Sequence, residues 1–147
     1  MKKLFYFLPL FLIAVMGMAV TACGDDDKMI SENELPAVSK SFISTYFPTA
    51  RVVTVEKDRN EYEIILSDGT KIDFNKSGEW TDVDAPMGKV VPTGFYPAPI
   101  DTYVSTNFTG IGINEISKDR RGYDVELVNG IDLLFNEQGN FISYDMD

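Results

Sequence analysis

Carboxylates are the reactive groups that this sequence offers in closely spaced pairs. Four pairs in or beside the predicted strands stand two residues apart: Glu61 with Glu63, Asp82 with Asp84, Asp124 with Glu126, and Asp145 with Asp147. Such pairs can act as general acids and bases, or as oxygen ligands for Ca²⁺. The ligand spacing of an EF-hand is absent, however, and acids alternating with apolar residues are typical of the polar side of a half-buried strand. We therefore interpret the pairs as solvated strand residues and predict neither a metal site nor a catalytic dyad.

Other catalytic chemistry finds little support in the sequence. There is no histidine, which is the usual general base near neutral pH and the commonest metal ligand. The one cysteine, Cys23, stands in the N-terminal region. No nucleophile elbow, phosphate-binding glycine loop or dinucleotide fingerprint occurs. We predict a protein that is not an enzyme and that needs no cofactor.

The first 22 residues have the pattern of an export signal. Lys2 and Lys3 precede an apolar run from residue 4 to residue 20, and small residues follow. Pro9 interrupts this run, which is also short for a transmembrane span. We predict a signal peptide over residues 1–22.

Cys23 ends this segment in a context that resembles a bacterial lipobox, whose cysteine receives a diacylglyceryl group and becomes the new N-terminus. The next residues, Gly24, Asp25, Asp26 and Asp27, resemble the surface-export signal of Bacteroidetes lipoproteins. Two or more acyl chains anchor a protein stably in a membrane. We predict that residues 23–33 form a lipidated acidic tether and that the protein is held at the outer membrane, facing the cell surface, with the periplasmic side as the alternative.

The charge of the chain constrains its partners. The formal net charge is −10 at pH 7, and removal of Lys2 and Lys3 with the signal peptide makes it −12. An acidic surface repels nucleic acid and anionic membranes and favours a basic partner. We expect a monomer whose partners are the membrane, through its anchor, and a protein or peptide of basic character.

The sequence repeats itself at a spacing of 61 residues. Aligned without a gap, residues 35–84 and 96–145 are identical at fifteen of fifty positions. Lys57-Asp58-Arg59 recurs at 118–120, and Phe74-Asn75 recurs at 135–136. Self-similarity of this kind indicates a duplicated structural unit. We predict one domain over residues 34–147, with repeat one at 35–84, a linker at 85–95 and repeat two at 96–145.

Each repeat has the pattern of one helix followed by four strands. The helices are predicted over residues 34–46, capped by Asn33, and 98–107. Val38, Phe42, Ile43 and Tyr46 are predicted to form the apolar side of the first helix. Asp68-Gly69 and Asn129-Gly130 are strong hairpin signals. The strands are predicted at 50–57, 60–67, 70–75, 79–84, 111–118, 122–128, 131–136 and 140–144.

These elements predict an α+β fold. A unit of about 50 residues buries too little surface to be secure alone, so the two units should share a core. We expect an antiparallel sheet of about eight strands with both helices on one side. The residues predicted to pack under the helices are Tyr62, Ile64, Leu66, Ile72, Phe74, Tyr123, Val125, Leu127, Leu133 and Phe135.

The pattern of turns and core positions resembles a known family. Its marks are Phe47-Pro48, the Lys-Asp-Arg turn followed by tyrosine, the two hairpin turns, and the runs at 73–78 and 134–139. Together they resemble the PepSY-like, β-lactamase-inhibitor-like domains of Bacteroidetes lipoproteins. The resemblance implies inhibition of β-lactamases or peptidases, but no inhibitory loop motif is present here to carry either activity over.

The uncovered side of the predicted sheet is our candidate binding face. It would carry Glu61, Glu63, Ile65, Lys71 and Asp73 from repeat one, and Asp124, Glu126, Val128, Asp132 and Leu134 from repeat two. Mixed acidic and apolar side chains on a broad sheet suit a basic protein or peptide. We therefore expect a non-catalytic binding module, with inhibition of a hydrolase as one form of that binding. The alternative is a structural envelope lipoprotein without a soluble ligand.

Overall fold

A computed structural model describes residues 28–145, and the predicted signal peptide, Cys23 and residues 24–27 lie outside this range. Two α-helices and nine strands follow one another along the chain. In order they are β1 (Lys28–Met29), α1 (Ala37–Tyr46), β2 (Val52–Lys57), β3 (Glu61–Leu66), β4 (Lys71–Asn75), β5 (Trp80–Asp84), α2 (Ala98–Asn107), β6 (Ile113–Asp119), β7 (Gly122–Leu127), β8 (Asp132–Asn136) and β9 (Phe141–Asp145).

The nine strands form one antiparallel sheet in which spatial order equals chain order. The predicted α+β class is confirmed, and both repeats show the predicted helix followed by four strands. The two units join where β5 pairs with β6, with Val83 directly opposite Ile116. Hairpins connect the strands within each unit, so register is set locally there, while the β5–β6 pairing is made across the linker and α2.

One hydrophobic core runs along the helix side of the sheet. Ile43 of α1 and Ile100 and Val104 of α2 are buried against it. Every second strand residue points into this core, as alternation requires. Nine of the ten residues predicted to pack there are buried, and Tyr123 packs at the margin, with its ring 6.2 Å from that of Trp80. Phe95 of the linker contacts Trp80 as well, so the aromatic packing crosses from one unit to the other.

The sheet has nine strands where about eight were predicted, and the additional strand is β1, which lies within the residues predicted as a tether. Lys28 and Met29 pair with Lys57 and Glu56 at the outer edge of β2, and the Ile30 N–H donates to the Val55 carbonyl oxygen at 3.0 Å. By repeat spacing, Glu56 and Val55 correspond to Ser117 and Ile116, which pair with β5. The segment at 28–30 therefore occupies on β2 the place that β5 occupies on β6, and it covers the first unit as a cap.

The start of the first helix also differs from the prediction. Ser31, not Asn33, provides the cap, and it does so for a short 3-10 helix over Glu32–Glu34 in a reciprocal capping box with Glu34. The α-helix begins at Ala37, after Pro36. Val38 was placed wrongly in the apolar side, since it is 56% exposed. Ser39 is buried instead, because its hydroxyl donates to the Gly78 carbonyl oxygen at 3.0 Å and ties the helix to a hairpin turn.

We expect Gly139→Ala to destabilise the fold more than Gly130→Ala. Both glycines lie in hairpin turns at nearly the same positive φ, +81° and +79°. An added Cβ at Gly139 would lie 2.7 Å from the Pro97 Cβ at the start of α2, whereas one at Gly130 meets nothing within 4 Å. Both variants incur roughly 1 kcal/mol of left-handed strain, and steric overlap should add about 1–3 kcal/mol at Gly139 alone. Urea unfolding measures the difference, and equal losses would contradict the packing.

Candidate functional site

The side of the sheet that faces away from the helices carries an extended set of carboxylates, and we call this side the open face. Cross-strand pairing arranges its side chains in two rows that cross the strands. The first row is Glu56, Glu63, Asp73, Asp82, Ser117, Asp124, Leu134 and Ser143. The second row is Thr54, Ile65, Lys71, Asp84, Glu115, Glu126, Asp132 and Asp145.

The residues predicted for the binding face fall into two separate groups on it. Glu61, Glu63 and Ile65 lie on β3, with Lys71 and Asp73 beside them on β4. The second group lies on β7 and β8, where Asp124 is opposite Leu134 and Glu126 is opposite Asp132. Val128 follows the last residue of β7 and is 40% exposed. Strands β5 and β6 separate the two groups.

The centre of the open face is built by residues that the sequence interpretation missed. Asp82 and Asp84 of β5 were taken as solvated residues at a strand end, which was wrong, because β5 is the middle strand of nine and both side chains are partly buried. Glu115 of β6 lies directly opposite Asp84. The sequence signal was present, since Asp82 and Asp84 flank the apolar Val83, but their central position depends on the β5–β6 pairing.

Asp73 and Asp82 lie directly opposite each other on β4 and β5. Burial, reinforced by neighbouring carboxylates, raises the pKa of Asp73 to about 6 and that of Asp82 to about 7, although Lys71 opposes both shifts. One oxygen of each carboxyl, Oδ1, is buried without a hydrogen-bond partner. Like charges opposite one another destabilise a sheet, and unsatisfied buried oxygens add to that cost. This pair therefore lowers the stability of the folded protein.

Glu115 extends the carboxylate cluster into the second unit. It faces Asp84 on one side and Glu126 on the other. Burial, then the charges of Asp82 and Asp84, raise the pKa of Glu115 to about 8, and burial also raises the pKa values of Asp84 and Glu126. At pH 7 Glu115 is therefore mostly protonated. A cation placed beside it would favour its ionisation and release a proton.

Lys71 is the basic side chain within the two rows. Its Nζ lies 3.1 Å from the Glu63 Oε2. Burial alone would lower the pKa of Lys71, but Asp73 and Glu63 outweigh burial and raise it. One lysine among so many carboxylates leaves the face strongly negative.

A cavity of about 560 Å³ opens beside the middle of the second row. Asp84, Glu115 and Glu126 of the sheet and Met87 of the linker line it. The side-chain amide of Asn114 holds this part of the linker by donating to the carbonyl oxygens of Ala85 at 3.0 Å and Lys89 at 2.8 Å. The cavity therefore joins the carboxylates of both units to an exposed methionine.

Among residues 28–145, no three or more carboxylate, imidazole or thiol side chains lie together in an arrangement that could hold a metal ion. Within the same residues, no helix is long and apolar enough to cross a membrane.

The chain matches one protein family along most of its length. The sequence model of the family described as "Putative beta-lactamase-inhibitor-like, PepSY-like" matches residues 25–68 and 60–143. The chain belongs to this family. The family resemblance stated from the turns and core positions is thereby confirmed. No match was found among the curated proteins.

Solved structures from Bacteroides share this PepSY-like fold. A "putative periplasmic protein from DUF2874 family" of Bacteroides vulgatus is 34% identical, with a TM-score of 0.77, and the match covers 84% of this chain and 100% of that one. A second B. vulgatus structure, a "putative periplasmic protein of unknown function", is 30% identical, with a TM-score of 0.76, and the match covers 82% and 99%.

A third similar structure, a "putative calcium-regulated periplasmic protein" of Bacteroides thetaiotaomicron, is 32% identical with a TM-score of 0.77, and the match covers 82% of this chain and 98% of that one. All three relatives are described as periplasmic. Neither the family description nor the descriptions of the three relatives name a reaction. The three relatives match this chain over nearly their whole length, and residues 28–145 of this chain enclose one continuous core.

We expect this PepSY-like protein to lose stability as the pH rises from about 4 to about 8. The folded-state pKa values of Asp73, Asp82 and Glu115 lie above those of unfolded carboxyls, so the folded state binds more protons in this window. Asp82→Asn removes one such carboxyl. It should stabilise the protein by about 2 kcal/mol near pH 8 and by much less near pH 4. Urea unfolding at several pH values measures both effects.

Glu61→Gln is the matched control for this prediction. Glu61 lies at the margin of the same face and is exposed, so loss of its charge should change the unfolding free energy by less than about 0.5 kcal/mol. A wild-type protein that gains stability with rising pH, or an Asp82→Asn variant that is less stable near pH 8, would show that Asp82 has a compensating partner.

Proposed function

We propose that this protein is a lipid-anchored, non-catalytic module that binds a basic protein or peptide through its open face. The observation that carries the proposal is the Asp73–Asp82 pair, two carboxyls directly opposite each other with buried oxygens that lack hydrogen-bond partners. A fold has no structural need of this arrangement, because asparagine or threonine would fit the same strand positions without the repulsion. The cost is offset if a cationic partner binds there.

The position of the carboxyls supports a partner of protein or peptide size. The two rows cross all the strands from β2 to β9, so their charges extend over a surface far wider than a single ion. Ile65 on β3 and Leu134 on β8 add apolar contact area on either side of the central carboxylates. Met87 lines the cavity. Lysine or arginine side chains interleaved with apolar ones would complement this pattern.

Inhibition of a hydrolase is one form that this binding would take. The family description includes β-lactamase-inhibitor-like proteins, and an inhibitor acts by occupying a surface rather than by catalysis. A hydrolase with a basic rim around its active site would fit the open face. Fold alone does not carry function across a family, so this version depends on direct assay.

Two alternatives act through different contacts. A structural lipoprotein would pack permanently against another envelope component, and its complex would survive detergent without exchanging with added protein. Binding of Ca²⁺ is the second alternative, favoured by the relative described as calcium-regulated and by the two unpartnered oxygens. Calcium takes six to eight oxygen ligands, so a site here would need water or partner groups. Calorimetric titration with CaCl₂ that gives no heat would exclude it.

We expect neutralisation of the central pair to weaken partner binding while stabilising the fold. The chain from residue 24 to 147 serves as bait for envelope and secreted fractions, beside an Asp73→Asn/Asp82→Asn variant. Captured partner should bind the variant at least tenfold more weakly, because the uncompensated charges are gone. For the wild type, affinity should rise from pH 6 to pH 8 as Asp82 and Glu115 ionise, and should fall with added salt.

Glu32→Gln/Glu137→Gln is the control for this experiment. It removes the same charge from two exposed residues outside the two rows, and its affinity should stay within about twofold of wild type. A partner retained equally by both variants would refute the proposed face. A complex that resists detergent and does not exchange would favour the structural alternative.

We expect the anchor to depend on Cys23. Labelled fatty acid should be incorporated into the wild-type protein and not into Cys23→Ala, because the thiol is the acceptor. Protease added to intact cells should remove the domain if it faces outward. Protection until the cells are lysed would place it on the periplasmic side.

A further inference from the structure

The outer edge of β9 lacks the strand pairing that its counterpart in the first unit has within the described residues. In the first unit the corresponding strand, β5, is paired with β6, and Val83 is completely buried. Tyr144, which corresponds to Val83 by repeat spacing, is 50% exposed. Within residues 28–145, β9 pairs with β8 and with no other strand. The first edge of the sheet, by contrast, is covered by β1.

The backbone of Tyr144 is oriented to receive another strand. In the corresponding pairing, Val83 lies opposite Ile116, and two residues further on the Ala85 N–H donates to the Asn114 carbonyl oxygen at 2.9 Å. Antiparallel hydrogen bonding alternates along a strand, so Val83 and Ala85 direct their backbone groups towards β6. The same alternation directs the N–H and C=O of Tyr144 outward.

An apolar groove of about 530 Å³ lies beside this edge on the helix side of the sheet. Its lining includes Ala98, Pro99 and Tyr103 of α2 and Phe141 of β9. In the first unit, Trp80 holds the position of Phe141, and there Phe95 and Tyr123 of the following segment cover the ring. The rings in contact with Phe141 all belong to its own unit: Tyr103, Phe135 and Tyr144.

The segment between Cys23 and β1 is poorly placed to cover β9. β1 lies at the opposite edge, eight strand spacings or about 38 Å away along the sheet. The five Cα–Cα spacings from Cys23 to Lys28 span at most about 18 Å.

From these features we infer that the β9 edge binds an extended segment of a partner protein as a tenth strand, and that this segment alternates basic and apolar residues. The residue opposite Tyr144 would point to the groove and must be apolar. Its two neighbours would point to the open face beside Ser143 and Asp145, where a positive charge is favoured. The inference rests on the proposed function in taking the partner to be basic.

A second copy of this chain fits the edge less well. Two β9 strands paired about a twofold axis perpendicular to the sheet would place both open faces on the same side, and would extend the row of like charges. Natural edges that must stay unpaired usually carry lysine or proline. The sequence of β9, Phe-Ile-Ser-Tyr-Asp, has neither.

The test uses a fluorescent seven-residue peptide of alternating lysine and valine, with a peptide of the same composition in two blocks as its control. Both are titrated into the chain from residue 24 to 147, and binding is followed by anisotropy. We expect the alternating peptide to bind at least tenfold more tightly than the block peptide. Amide exchange by NMR should show new protection of the Tyr144 N–H, which simple attraction to the acidic face would not produce.

Two variants examine the edge itself. The pairing of β9 with β8 shifts register at Ile142, and the pairing of β2 with β3 shifts in the same way at Val53. Ile142→Lys places a positive charge at the first of these bulges, and Val53→Lys places one at the second. The two side chains are similarly exposed, Ile142 at 58% and Val53 at 62%. The first should weaken the alternating peptide at least tenfold, and the second by less than about threefold. Tyr144→Pro, which removes the outward N–H and is tolerated on an edge strand, should weaken binding of the alternating peptide at least tenfold.

The outcomes separate this inference from the proposed function. Peptide binding that is weakened by Asp73→Asn/Asp82→Asn but not by Ile142→Lys would support binding by the open face and would overturn the tenth strand. Failure of the alternating peptide to bind the wild-type protein would also overturn the tenth strand. Binding by the open face would still be tested separately, with the partner captured from the envelope and secreted fractions. Dimers in sedimentation that Ile142→Lys dissociates would assign the edge to a second copy and overturn the assignment to a partner protein.

Discussion

The pairing of β5 with β6 is the interaction on which the rest of this structure depends. It joins two units that are each too small to bury a secure core, and it places Val83 and Ile116 at the centre of a shared one. The same pairing brings Asp82 and Asp84 of the first unit against Ser117 and Glu115 of the second. The hydrophobic core and the carboxylate cluster are therefore the two sides of one strand contact.

The two sides of that contact have opposite effects on stability. On the helix side, burial of aliphatic and aromatic side chains stabilises the sheet across the junction. On the open face, carboxyls lie opposite carboxyls and their raised pKa values record the repulsion and the loss of water. Lys71 and Glu63 form an ion pair within those rows. A folded state that tolerates such a cost at its centre is expected at surfaces that bind rather than at surfaces that only support the fold.

The two edges of the sheet differ in whether a further segment of the described chain covers them. Residues 28–30 reproduce on β2 the contact that β5 makes on β6, so the first unit is covered even though no earlier repeat exists in the described chain. The last unit has no equivalent cover among residues 28–145, and its aromatic residues line an open groove. Repeat architectures generally need covered ends, because each unit contributes an apolar surface meant for a neighbour.

Much of the fold was determined by local sequence. The 61-residue repeat, the hairpin turns at Gly69 and Gly130, and the alternation on β3, β4, β7 and β8 were enough for the class, the order of elements and nearly all of the core, because these features depend on turn chemistry and on neighbours in the chain. The face assigned to Glu63, Asp73, Asp124 and Glu126 followed from the same alternation.

Only the tertiary structure decided what lies at the centre and at the edges. Asp82 and Glu115 are 33 positions apart, and they meet because a strand of one unit pairs with a strand of the other across a linker and a helix, which no local pattern specifies. The strand at Lys28–Met29 is too short and too polar to carry a periodic signal, and it forms because β2 offers an unpaired edge. The sequence by itself determined the units. The pairing of the two units decided which carboxylates lie together at the centre of the open face, because that pairing depends on contacts distant in the sequence.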